Sequence, residues 1–181
     1  MRTGKEQGYS LIELLIVIVL VGLIAAIAIP AFDSNDEVIL DRAVAEVASA
    51  FRFAHAEAIR TGIPYGVIAD DAAQTVRVNR LDESVDPPIV VYDVYDPFTK
   101  QPYDLAFSTD NSDVEISSIY FKFQGMFSPL SFVGFAGESG VPKYNDSGTI
   151  RMLDNGYIRL GLNGLTRTVA VAPMTGRVTV Q

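Results

Sequence analysis

The first apolar pattern in the chain is unbroken. From Leu14 to Ile29 every residue is Leu, Ile, Val, Ala or the single Gly22, with Leu11 and Ile12 just before the one charge, Glu13. Such a run approaches the roughly 20 residues that span a bilayer, so it predicts a transmembrane helix. A second, sparser pattern follows. Leu40, Val44, Val47, Phe51, Ala54 and Ala58 recur at alternating spacings of four and three, the stripe of one helix face, with Asp41, Arg42, Glu46, Arg52 and Glu57 mostly off it. Pro30 predicts a kink rather than an end. The weak helix formers Asp33, Ser34, Asn35 and Asp36 mark a local break or a new cap. The helix should stop at Thr61, with Gly62 as the left-handed residue beyond it and Pro64 after that. A continuous helix from Ser10 to Thr61 would be roughly 75–80 Å long.

After Pro64 the period falls to two. Strands are predicted at 65–69, 75–81, 89–95, 114–123 and 130–135, with loops at 96–104 and 110–113. Strands at 148–153, 157–162, 168–172 and 177–180 complete a hairpin series turning at Asp154-Asn155-Gly156, Asn163-Gly164 and Met174-Thr175-Gly176. The class is α+β: a long amino-terminal helix, half transmembrane and half amphipathic, packed on a carboxyl-terminal antiparallel β domain.

Composition narrows this further. At 181 residues, one anchored helix and one domain is the natural organisation. The net charge of −8 opposes nucleic-acid phosphates, and the absence of cysteine excludes disulfides and thiol chemistry. Arg2 and Lys5 precede the apolar run while Asp33, Asp36 and Glu37 follow it, so the positive-inside rule places the leader in the cytoplasm and the domain outside.

Glu13 is the anomaly. A carboxylate at a membrane helix centre costs roughly 2.5–3.5 kcal/mol on insertion scales, and such groups are commonly partnered and functional. Together with Gly8, the aromatic Tyr9 after it and Pro30, the basic leader and Glu13 resemble the amino terminus of type IV pilins and type II secretion pseudopilins. The resemblance implies that a prepilin peptidase cleaves between Gly8 and Tyr9 and that Tyr9 is N-methylated. It also implies that Glu13 pairs with the Tyr9 amine of a neighbouring subunit. An ordinary secretory signal cut near Ala26-Ile27-Ala28, or a plain membrane anchor, also fits the hydropathy but leaves Glu13 without a purpose.

Later stretches are similar to the GspH/FimT group of minor pilins. They are 51–62 at the end of the helix, 137–142, Ser147 to Ile150, and Arg167 to Val171 leading into Thr175 to Val178. The implied organisation is a leader at 1–8, a transmembrane and assembly helix at 9–32, an amphipathic half at 33–62 and a periplasmic β-rich domain at 63–181. The implied function is that of a minor pseudopilin at the tip of a periplasmic pseudopilus. It would be a single-pass inner-membrane protein before assembly. Its partners would be the prepilin peptidase, other pilin-like subunits, an inner-membrane assembly platform and membrane lipid. A FimT-like minor pilin of a type IV pilus, serving initiation, adhesion or DNA uptake, is the alternative.

The sequence offers little chemistry for an enzyme. His55 is the only histidine and falls between two alanines on a helix, and Gly137-Glu138-Ser139-Gly140 lacks the spacing of a nucleophile elbow. No cofactor motif is present. Asp70 with Asp71, Asp93 with Asp96, and Asp110 with Asp113 raise calcium, yet none has an EF-hand spacing, and no metal is assigned. For nucleic acid, the Gly-Arg-x-Arg motif of FimT-like relatives corresponds to Gly176-Arg177-Val178-Thr179, which keeps Arg177 but lacks the second arginine. Arg151, Arg159, Arg167 and Arg177 alternate with apolar residues as outward strand positions do, so nucleic acid is disfavoured. Tyr92, Tyr95, Phe98, Tyr103 and Phe107, in a middle region matching no family, divide between core filling and a protein contact surface.

Overall fold

The computed structural model describes residues 10–28, 35–85, 88–107 and 114–181, with the backbone alone for 23–28. The chain divides between Asn35 and Asp36 into two compact units. The first contains helix α1, Leu11–Ala28. The second contains α2, Asn35–Thr61, and ten strands.

Helix α2 forms because its alanine-rich sequence favours the helix and its apolar stripe has a surface to cover. Leu40, Val44, Val47, Phe51, Ala54 and Ala58 are all buried, joined by Ala43, Ala48 and Ala50. Asp36 and Glu37 occupy its first turn and Arg60 its last, the arrangement the helix dipole favours. Its end is over-determined. The Thr61 hydroxyl donates to the Glu57 carbonyl at 2.7 Å, Gly62 N donates to Ala58 O at 3.0 Å, and Gly62 takes φ 72°. Glu138 N, from a distant turn, donates to the same Ala58 carbonyl at 3.2 Å. Gly137 comes so close that a Cβ there would lie 2.0 Å from Gly62 O.

The strands are β1 Tyr65–Asp70, β2 Thr75–Asp82, β3 Ile89–Val91, β4 Asp104–Ala106, β5 Glu115–Phe123, β6 Phe132–Phe135, β7 Pro142–Asp146, β8 Thr149–Leu162, β9 Leu165–Val171 and β10 Val178–Val180. They form one antiparallel sheet in the order β10-β9-β8-β7-β6-β1-β2-β3, with β4 added on β2 and β5 on β8. Strand β8 joins the two halves. Its first residues pair with β7, and the rest lies between β5 and β9. The inward side chains Val67, Val76, Phe121, Phe123, Val133, Phe135, Ile158, Leu160 and Val169 meet the α2 stripe in one core, where Phe51 and Phe121 stand 6.0 Å apart.

The α+β class and the helix-on-sheet arrangement are as expected, but several boundaries are not. Asp154-Asn155-Gly156 is not a hairpin turn: β8 passes straight through it. Asp154 is the extra residue of a bulge, with Lys122 opposite Asn155 and Phe123 opposite Leu153. The bulge takes up the residues that would otherwise have turned the chain. Gly156 is needed there because a Cβ would come within 2.8 Å of the Phe121 ring. The expected strand 89–95 shortens to β3, and Tyr95 makes only an isolated bridge to Pro102. Strand β4 begins at the end of the expected loop 96–104, and β7 lies where no strand was expected. Asn35 and Asp36 are helical, whereas Pro30, Asp33, Ser34 and residues 110–113 lie outside the described residues.

Candidate assembly site on the amino-terminal helix

Helix α1 opens on Ser10, whose carbonyl accepts from Glu13 N at 2.9 Å and Leu14 N at 3.2 Å. Ser10 therefore stands at the cap and Glu13 at the third helical position, the spacing of a capping box. Its carboxylate lies where the amino-terminal end of the helix dipole favours negative charge, an effect of about 0.3–1 kcal/mol. Glu13 is exposed and forms no ion pair among the described residues. Around it the helix is apolar on every side. All the large aliphatic side chains from Leu11 to Val21 are at least half exposed. Covering a Leu, Ile or Val side chain is worth about 1.5–3 kcal/mol, so this surface calls for lipid or other helices. Eighteen residues make a helix of about 27 Å, a little under the roughly 30 Å hydrocarbon core. Among the described residues no helix is long and apolar enough to cross a membrane, the described side chains of α1 ending at Gly22. Gly8, Tyr9 and Pro30, the other expected site residues, lie outside the described residues.

In the second unit the four carboxyl-terminal arginines do not form one patch. Arg167 reaches the start of α2, with Nη2 2.8 Å from Glu37 and Nε 3.0 Å from Asp41, and Asn163 Nδ2 donates to Asp36 at 2.9 Å beside it. Arg151 pairs with Asp146 at 3.0 Å. Arg159 lies over the Tyr157 ring, and Arg177 is exposed with no carboxylate partner among the described residues. Sequence reasoning missed the role of Arg167, because a residue 126 positions from its acidic partner leaves no local signal.

The acidic pairs have local duties. Asp70 accepts from Ala72 N and Ala73 N in the β1–β2 turn, Asp93 pairs with Arg80 at 2.6 Å, and Asp96 accepts from Phe98 N and Thr99 N. No group of three or more metal-ligating side chains gathers among the described residues. His55 packs edge-on against Phe135 at 5.4 Å, and its Nε2 is buried without a hydrogen-bond partner. It is wedged against Gly140 and Gly176, where an added Cβ would come within 2.5 and 2.6 Å of the ring. The middle aromatics divide: Tyr103 and Phe107 are buried, Tyr103 stacking on Phe53 at 5.0 Å, while Tyr92, Tyr95 and Phe98 are exposed.

Comparison with known proteins bears on both units. Residues 3–29 match the family model described as the prokaryotic N-terminal methylation motif. No curated protein sequence matches the chain. Among solved structures, the minor pseudopilin EpsH from the type 2 secretion system of Vibrio cholerae is similar at TM-score 0.51 and 13% identity, covering 78% of this chain and 95% of that one. The type IV minor pilin FimU of Pseudomonas aeruginosa strain PAO1 gives a TM-score of 0.46 at 13% identity, covering 78% and 87%. The chain thus carries a prepilin-like N-terminal methylation motif ahead of a helix-backed antiparallel β domain with the pilin-like fold of a minor pseudopilin.

Proposed function

We propose that the chain is a minor pseudopilin of a type II protein secretion system. One observation carries the reading. The segment matching the methylation motif contains the apolar helix α1, whose single carboxylate, Glu13, is exposed in the first turn and unpaired among the described residues. A subunit of this kind does mechanical work rather than catalysis. Before assembly the helix holds it in the inner membrane as a single-pass protein, with the β domain in the periplasm. The prepilin peptidase cuts between Gly8 and Tyr9 and methylates the Tyr9 amine. In assembly, driven from the inner-membrane platform, neighbouring pilin-like subunits replace lipid around Leu11 to Ile29. Glu13 then takes the Tyr9 amine of a neighbour, since a charge left alone in so dry a place costs several kcal/mol. The fold likeness to the minor pseudopilin EpsH supports a pilin-like subunit.

Intact mass and amino-terminal analysis of the chain from membranes containing its peptidase should give a start at methylated Tyr9. The variant Glu13→Ala should keep the start at methylated Tyr9 and lose cross-linking to neighbouring subunits. A start at Met1, or full cross-linking without Glu13, would overturn the reading. Deleting the chain should stop secretion; if pili were lost and secretion kept, the subunit would be a type IV minor pilin instead.

A further inference from the structure

The solvent face of the β5-β8-β9-β10 half-sheet is unlike the rest of this acidic molecule. Strand β5 enters with Ile116 buried and opposite Leu160, and then Ser117 is an extra residue, so that Ser118 faces Arg159 and Tyr120 faces Tyr157. Without that bulge Tyr120 would turn into the core; with it, Ile119, Phe121 and Phe123 point inward and Tyr120 and Lys122 outward. The Tyr120 and Tyr157 rings stack at 5.3 Å and 14°, and the Arg159 guanidinium caps the stack 5.6 Å from the Tyr157 centroid. Lys122 stands next along β5. Arg177 follows across β9, where Ala172 N donates to its carbonyl at 2.9 Å and alternation with buried Val178 turns its side chain outward.

Charge sets this face apart. Five described cations form no salt bridge among the described residues: Arg52, Lys100, Lys122, Arg159 and Arg177. Three of the five lie here, in a chain of net charge −8. The acidic side chains along these strands are Glu115, two residues before the first bulge, and Asp154, the bulged residue of the second, and neither forms a salt bridge with these cations. Of the other described arginines all but Arg52 are paired with a carboxylate; here Arg159 and Arg177 stand without one among the described residues, around a flat aromatic pair.

We propose that this face binds an acidic segment of a partner protein, with the tyrosine stack as the contact and Lys122, Arg159 and Arg177 receiving carboxylates. Tyrosine and arginine are the residue types that anchor protein interfaces. A nucleic-acid strand fits less well, because a phosphate track recruits on the order of 6–10 cations and the chain's overall charge repels it.

The test uses the full chain in a zwitterionic detergent at low ionic strength. Three labelled probes are titrated by fluorescence anisotropy: a peptide alternating glutamate and tyrosine, its glutamine counterpart, and single-stranded oligothymidylate. The glutamate peptide should bind and the glutamine peptide should not. Combining Arg159→Ala with Arg177→Ala should weaken binding about tenfold, and Arg52→Ala should leave it unchanged. Arg159→Lys, which keeps the charge and loses the flat stack, should fall between wild type and Arg159→Ala. Three results would overturn the proposal: no binding of the glutamate peptide, equal binding by the double variant, or binding of oligothymidylate alone.

Discussion

Asn79 is fully buried in β2, and neither its Nδ2 nor its Oδ1 finds a hydrogen-bond partner. An unmade bond on a buried polar group costs about 1–3 kcal/mol, so the near-isosteric Asn79→Leu should unfold at equal or higher urea concentration than wild type. A loss above about 1 kcal/mol would mean that a water or partner satisfies the amide. Asp96 has the opposite character. Chiefly through the Thr99 backbone N–H, its carboxyl is held below the usual carboxylate range while organising the turn that presents Phe98. A depressed native pKa contributes stability above the unfolded value, near 4, and loses it as pH falls through the native value. The Phe98 and Thr99 amides should therefore lose exchange protection on acidification below about pH 4, and Asp96→Ala should show the same loosening at neutral pH. An Asp96→Ala loop as protected as wild type would contradict this role.

At the scale of elements, the carboxyl end of α2 is held by a turn far away in sequence. The β6–β7 turn sends Glu138 N to the Ala58 carbonyl and lays Gly137 on the Gly62 backbone. No side chain fits between two backbones at that distance, and neither can retreat without losing its bonds. Gly137→Ala should cost about 3 kcal/mol or more in urea unfolding, whereas a loss under about 1 kcal/mol would show that the turn can move. The other end of α2 is held less firmly. Arg167 bridges Glu37 and Asp41, yet both carboxylates are more than half exposed, and water screens much of the attraction.

For the whole molecule, the two units differ in what they need from their surroundings. The unit from Asp36 onward has a single core of phenylalanine, valine and alanine side chains from α2 and both halves of the sheet. A chain of residues 36–181 should fold by itself, with one cooperative thermal transition and monomeric behaviour. The full chain should need detergent, because α1 exposes aliphatic surface on every side. If both species were monomeric without detergent, the proposed role of the apolar helix would fail.

Much of this organisation was legible in the residues themselves. The unbroken apolar run, the four-and-three stripe that becomes the buried face of α2, the stop at Gly62 and the methylation motif are all local patterns, and local patterns are what periodicity and spacing report. Turn residues were legible too, but not their use: Asp154-Asn155-Gly156 has turn chemistry and still runs through β8, because pairing to β5 and β9 on both sides outweighs local preference. The joining of Arg167 to Glu37 and Asp41, and of Glu138 to Ala58, spans most of the domain, and the alignment of Tyr120 with Tyr157 depends on one bulged residue. Only the folded register decides such contacts, since a shift of one residue would turn each strand's side chains to the other face. The sequence by itself therefore determined which helix carries the methylation motif, while tertiary structure decided which face of the β domain gathers the tyrosine stack and its cations.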